Sequence, residues 1–577
     1  MRTMTDTLPR IESLDAAGTR GASAHLKYFY NARILTMAPH SPYAGHMMVA
    51  GDRILACSDE VSPLGIDHRL PGFDDTRRRH AADIEFIDLQ GRAVIPGMTD
   101  SHGHIMMWAL NLLRAELAPA RSEEDAVRIV REFARHKRPG EWILGFGWAH
   151  NLWDNPVFPS RESLDAAFPD NPVFLNSKCG HVGWANSAAL AAAGITADSP
   201  NPPGGEIVRT GEGTSRRPTG ILLENACWLL EEIYGSPSDM DRLGAVREAQ
   251  RRAHALGITG MHSPEDMVTW EFLQRMHQRD ELTLRINYLL PAAYLDHFEK
   301  ARIRHGVGNH QLRVGGVKLF TDGSLGGRTG FMYEPYEGEP ENTGMCVTDR
   351  AEITRITLQA NAAGLPMAIH AIGDRAIGDV LAAFEASAYE LGDSVAAHTH
   401  PPVRNRIEHL QTYSPRDEES LRRTRPVASV QPVHLCADMG PADRYLGARA
   451  RHTYAFRTLQ GLGCLLAFGS DTPVEPINPM FGLFAAVTRQ NLEGHPAQGW
   501  FPEERLTVTE ALTAYTRNPA IASGEDAVLG TLEPGKLADF VVLPADPERV
   551  APEELRDMAV ESTWINGRCV HSREKQG

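Results

Sequence analysis

Eight short apolar runs punctuate the middle of the chain, at 93–98, 258–261, 284–290, 314–320, 365–369, 406–410, 427–433 and 464–468. Segments of helical periodicity separate most of them, at 236–256, 351–363, 377–391 and 415–423. Continuously apolar strands alternating with helices predict a parallel sheet covered on both faces. Eight such units predict an α/β fold closed as a TIM-like (β/α)8 barrel. An open doubly wound sheet is the competing topology.

The two ends read differently. Segments 28–37, 46–56 and 84–89 are β-like, with turn chemistry at Gly51-Asp52-Arg53. Segments 538–543 and 562–570 repeat that character, the second with an Asn566-Gly567 turn. Strands at both ends predict one small β-sandwich domain built from 25–92 and 528–577, with the barrel, 93–527, inserted into it. Two unrelated β caps are the alternative. Residues 1–24 are polar and read as a flexible tail.

A long interval separates the first two apolar runs. It contains β-like stretches at 141–148, 172–176 and 205–208, and the tryptophans Trp142, Trp148, Trp153 and Trp184. A β-rich insertion, about 120–225, is expected after barrel strand 1, packed over the barrel mouth. Its aromatics either face a substrate or build the insertion's own core.

The chain has 577 residues and a net charge of −16, from 58 basic and 74 acidic residues. That balance argues against a nucleic-acid partner, which needs a basic face. Seven cysteines, with no Cys-x-x-Cys pair, read as buried free thiols in a reducing compartment. The first residues lack a signal peptide's apolar core, and no run approaches the roughly 20 apolar residues of a membrane span. A soluble cytoplasmic protein is expected.

Candidate chemistry lies at the ends of the predicted strands. His102 and His104 follow the first run; two residues apart on extended backbone, their imidazoles share one face. Such a pair can grip a divalent ion from one side. Lys318, His370, His409 and Asp471 lie at the ends of runs four, five, six and eight. In a barrel of this class the reactive groups gather at the C-terminal strand ends.

The order His-x-His, Lys, His, His, Asp resembles the amidohydrolase superfamily. The segments Lys318-Leu-Phe-Thr-Asp-Gly-Ser324, Ala371-Ile-Gly-Asp-Arg375, Ile407-Glu-His409 and Gly469-Ser-Asp-Thr-Pro-Val474 resemble its amidohydrolase 3 branch, which includes YtcJ-like proteins and N-substituted formamide deformylases. Gly535-Lys-Leu-Ala-Asp-Phe540 and Gly180-His-Val-Gly-Trp184 are similar to that branch as well. The resemblance implies metal-assisted hydrolysis. Imidazoles and a carboxylate suit Zn²⁺, with Mn²⁺ or Fe²⁺ as alternatives, and a bound divalent ion acidifies water. Asp471 would accept the attacking water's proton and pass it to the leaving nitrogen. In many members the corresponding lysine is carboxylated and bridges two metals. The resemblance implies this for Lys318, although an ordinary lysine paired with a carboxylate such as Asp322 is the alternative. One metal would take His102, His104 and Asp471; a second would take His370 and His409.

Weaker candidates for substrate contact are His181, Trp148, Asp322, Arg328, Arg375 and His434. Asp322 and Arg328 either line the pocket or pin the loop after strand 4. Arg375 and Asp374 either orient His370, or touch substrate, or join an internal ion pair. Glu408, next to His409, should point to the opposite face and either support a ligand from behind or serve the fold. Gly326-Gly327 lacks phosphate-loop spacing.

The expected activity is hydrolysis of a C–N bond in a small amide-like substrate, for example an N-substituted formamide or another N-acyl amine. Hydrolysis of a cyclic amide, carbamate or ester by the same residues is the alternative. A non-catalytic binding or regulatory protein on this fold would instead carry a broken metal set, and the set here is intact. Dimers are common in such folds, so a homodimer is one assembly open to the chain, although no residue pattern demands it.

Overall fold

The computed structural model describes residues 26–573 apart from 61–65, 67, 70–72, 81–82, 151–152, 178–181, 212–215, 235–237 and 393–403. The expected tail therefore lies outside the described residues, as does His181. The chain forms two compact units, Met1–His104 with Gln250–Gly577, and Ile105–Ala249.

The first unit holds the barrel. Its strands are β1 (Met98–Asp100), β2 (Ile258–Ser263), β3 (Arg285–Pro291), β4 (Leu312–Phe320), β5 (Met367–Ala371), β6 (Arg406–His409), β7 (Val427–Val430) and β8 (Leu465–Phe468). They follow one another in sequence order and every pairing is parallel. Buried residues fill β2, β6 and β7 from end to end, as a sheet covered on both faces requires. No ladder joins β8 to β1, but the Ser101 amide donates to Phe468 O at 2.9 Å and the Asp471 amide to His102 O at 2.7 Å. These bonds nearly close the barrel. Gly469 permits the approach, since a Cβ there would lie 2.5 Å from the His102 nitrogen.

The register sets the height of the site. Phe320 pairs with His370, His370 with Glu408, and Glu408 with Ser429, so adjacent strands present these residues at one level of the C-terminal end. Interstrand helices include Met267–Gln278, Arg350–Ala362 and Asp374–Leu391. Asp266 and Asp349 cap the first two by accepting the Thr269 and Glu352 amides.

Two further sheets complete this unit. A four-stranded sheet contains Leu26–Tyr30, His46–Ala50, Arg53–Ser58 and Ile84–Asp88. A six-stranded sheet pairs Ala93–Pro96 from the head of the chain with Phe540–Leu543 from its end. Phe29 of the first sheet meets Phe540 and Trp564 of the second edge-on, at 5.0 and 5.1 Å between centroids. Two expected elements divide here. The run 28–37 breaks at Asn31, whose φ of 54° turns the chain from one sheet to the other. The run 93–98, expected as the first barrel strand, lies mostly in the sandwich, and β1 begins only after Gly97. Apolarity alone does not distinguish a strand buried in one sheet from a strand buried in the next.

The second unit is wider than the expected 120–225. Its six-stranded sheet runs in the order Gly205–Thr210, Arg217–Glu224, Val182–Ala185, Val173–Ser177, Ile143–Trp148, Ala115–Glu116. Trp148, Trp153 and Trp184 belong to its core. Among the described residues no helix is long and apolar enough to cross a membrane. Six described cysteines are free; Cys57, Cys227 and Cys464 are buried, whereas Cys346 and Cys569 are exposed, contrary to the expectation that all are buried.

Candidate metal centre

The ends of β1 and β8 are locked together by a buried carboxylate. Asp100 accepts the His102 amide at 3.1 Å and the Ser470 amide at 3.0 Å, and the Ser470 hydroxyl at 2.5 Å. This lock sets His102 and His104 opposite Asp471, itself held at a φ of 58°. His104 Nε2 lies 3.1 Å from Asp471 Oδ1 and His102 Nε2 lies 3.5 Å from the same oxygen. Among the described residues these three form the compact set of potential metal donors, with ligand atoms all within 4.8 Å of one another.

Protonation matches that role. Glu408, fully buried, places Oε2 2.5 Å from His102 Nδ1. Burial alone would raise its pKa, but Arg406 and His102 outweigh it and hold the carboxyl well below the usual range. The ionised carboxylate therefore accepts a hydrogen bond from His102 Nδ1–H and leaves the Nε2 lone pair facing Asp471. Burial, with the nearby Lys318 charge, pushes His102 and His370 down to about 4. Burial likewise holds His409 well below the usual histidine range. Neutral imidazoles are the form that binds metal. His104 goes the other way, because its hydrogen bond to Asp471 outweighs burial. Burial would raise Asp471, yet the His104 bond and neighbouring histidines keep it far below the usual carboxylate range. The two imidazoles and the ionised carboxylate are donor types that fit a divalent ion, which on binding would displace the proton His104 shares with Asp471.

The remaining histidines stand alongside. His409 leaves β6 with a φ of 71°. Its Nδ1 lies 2.8 Å from Gln431 Oε1, which orients the ring as Glu408 orients His102. The His370 ring is 4.6 Å from that of His409, and its Nε2 donates to Gly323 O at 3.0 Å. His370 and His409 are thus neighbours of the compact set and not members of it. Lys318 is buried with Nζ 4.7 Å above the Phe320 ring, and burial lowers it to about 8 against the pull of Glu408 and Asp471. His434 opens the helix His434–Leu446, with Nε2 3.2 Å from Ser470 O and 3.9 Å from Asp471 Oδ2.

Other candidates land elsewhere. Asp322 accepts the Phe331, Ile372 and Gly373 amides, so it pins the loop after β4. It also lies 3.5 Å from His370 Nε2. Arg328 pairs with Glu339, and Arg375 is exposed over the Phe331 ring. Asp374 accepts the Tyr333 amide. Trp148 is fully buried in the second unit with its indole N–H on Leu175 O at 2.8 Å, which corrects its assignment to a substrate wall.

Glu408 has the supporting role expected of it, through His102, while the left-handed turn at His409 lets consecutive residues serve one site. Arg406, His262 and Gln431 escaped the sequence reading. Arg406 forks onto both Glu408 oxygens at 2.5 and 3.1 Å, and also meets His262 Nδ1, Ser101 O and Ser429 Oγ. The two-residue spacing of Arg406 and Glu408 on a strand was the available signal.

The amidohydrolase family pattern matches residues 85–571. The putative amidohydrolase YtcJ of Bacillus subtilis is 30% identical over 92% of this chain and 99% of its own length. The N-substituted formamide deformylase of Arthrobacter pascens is 28% identical over 93% of this chain and 96% of its own. A crystal structure of an uncharacterized metal-dependent hydrolase from Pyrococcus furiosus superposes with a TM-score of 0.70 at 28% identity, covering 91% of this chain and 100% of that one. With its donors at the C-terminal rim of such a barrel and a match of this extent, the chain belongs to the amidohydrolase family and has the fold of its metal-dependent hydrolases.

Proposed function

We propose that the protein hydrolyses the C–N bond of a small amide-type substrate, an N-substituted formamide or another N-acyl amine. The observation that carries this reading is the approach of His102 and His104 to one oxygen of Asp471, at 3.5 and 3.1 Å. The relative named as a formamide deformylase supports the substrate class. A divalent ion, Zn²⁺ in this reading, would be held by His102, His104 and Asp471 and would acidify water and polarise a carbonyl. Asp471, ionised at neutral pH, takes the proton of the attacking water and delivers it to the departing nitrogen. Glu408 keeps His102 in the tautomer whose Nε2 faces the site. His434, whose Nε2 lies 3.9 Å from Asp471 Oδ2, is the candidate substrate contact on that side of the site. Lys318, His370 and His409 would serve a second ion if Lys318 is carboxylated.

The test is a hydrolysis screen of N-formyl, N-acetyl and cyclic amides with zinc-reconstituted protein, read by amine release. Release from the acyclic amides supports the reading. Cleavage confined to cyclic amides, carbamates or esters overturns the substrate class. Metal analysis of wild type and Lys318→Ala separates one ion from two. The free cysteines among the described residues support a reducing, cytoplasmic setting.

A further inference from the structure

One aromatic side chain next to His370 stays half-exposed at the end of a barrel strand. Phe320 is the last residue of β4 and stands two positions after Lys318, so both side chains leave the same face of the strand. Its neighbours confirm the direction: Lys318 Nζ lies 4.7 Å from its ring centroid, and the His370 ring lies 5.4 Å away. Yet Phe320 is 48% exposed, on a strand whose other residues are all buried. Met345 and Val347 are 56% and 57% exposed. The chain carrying them is bound to the end of β4, through the Val347 amide on Thr321 O at 2.9 Å and the Thr348 hydroxyl on Phe320 O at 2.7 Å. Three large exposed apolar side chains thus belong to Phe320, which adjoins His370, and to the segment bonded to the end of its strand. Grouped exposed apolar surface marks a binding surface more often than single residues do.

We propose that Phe320, with Met345 and Val347, forms the specificity subsite for the apolar N-substituent of the substrate. The inference rests on the amide-hydrolase reading and deepens it. A ring or alkyl group on the leaving nitrogen stacks on Phe320 while the acyl group points toward His102, His104 and Asp471. Aromatic stacking and area burial both favour a benzyl over a methyl group at this place.

Benzylacetone and butanone test this without turnover, because a methylene replaces the amide nitrogen and nothing can be cleaved. Calorimetric titration of the zinc-loaded full chain should give benzylacetone about tenfold tighter binding than butanone. Phe320→Ala should bring that ratio close to one, and Phe320→Tyr should preserve it, with metal content unchanged in both. Equal binding of the two ketones by wild type, or an undiminished ratio in Phe320→Ala, overturns the subsite. A wild type that prefers benzylacetone but releases amine from no amide overturns the hydrolytic reading and leaves the subsite standing.

Discussion

At the scale of single residues, Asp471 and Glu408 have separable tasks. Asp471→Asn keeps the size of the side chain but removes the charge that accepts a proton. Under saturating metal it should lower kcat by about 10²- to 10⁴-fold, measured by steady-state kinetics with circular dichroism as a folding control. Glu408→Gln leaves the donors in place but weakens their orientation. It should reduce metal affinity by about 10- to 100-fold, read by competition with a chelating dye. The buried histidines make a pH prediction for the metal-free protein. His102 and His370 stay neutral down to about 4 when folded, whereas an unfolded histidine takes a proton near ~6.5. Between those values the unfolded chain binds more protons, so stability falls as pH drops through that window and is retained above it. Thermal midpoints of chelated protein from pH 7.5 to 4 check the sign; a flat profile would contradict it.

At the scale of elements, the site depends on how closely β8 approaches β1. Gly469→Ala would put a methyl group 2.5 Å from the His102 nitrogen, against backbone that cannot yield cheaply. It should lower both thermal stability and metal affinity, because it displaces His102 from Asp471. A variant with wild-type metal affinity would show that the rim tolerates this shift. Most barrel elements were legible from apolar runs, since β2 to β8 coincide with them to within a few residues. The first was not. Residues 93–98 are uniformly apolar, and the crossing from sandwich to barrel at Gly97 is set by pairing with Phe540–Leu543. Likewise the turn at His409, which lets Glu408 and His409 act together, is a left-handed backbone that no spacing rule announces.

At the scale of the whole molecule, a buried ion pair ties barrel to returning sheet within the first unit. Arg285 of β3 forks onto Asp539 at 2.6 and 2.9 Å and also reaches Asn566 Oδ1 in the hairpin turn. Asp539→Ala leaves a buried guanidinium without its partner and should cost about 3–5 kcal/mol, measured by denaturant unfolding. Metal affinity of the folded variant should stay near wild type, since the pair lies away from the donors. That contrast separates what holds the molecule together from what equips its rim.

The order of chemical groups along the chain determined that a barrel rim would carry His102, His104, Lys318, His370, His409 and Asp471, because strand ends and strand periodicity are local properties. Tertiary structure alone decided which of them meet. Asp471 reaches His102 and His104 across 369 and 367 positions of sequence only because Asp100 and Ser470 bring β1 and β8 together. Glu408, Arg406, His262 and Gln431 gained their tasks from neighbours on other strands. Residue type announces what a side chain can do, but burial and partners, which arise only on closure of the barrel, fix its protonation and its direction.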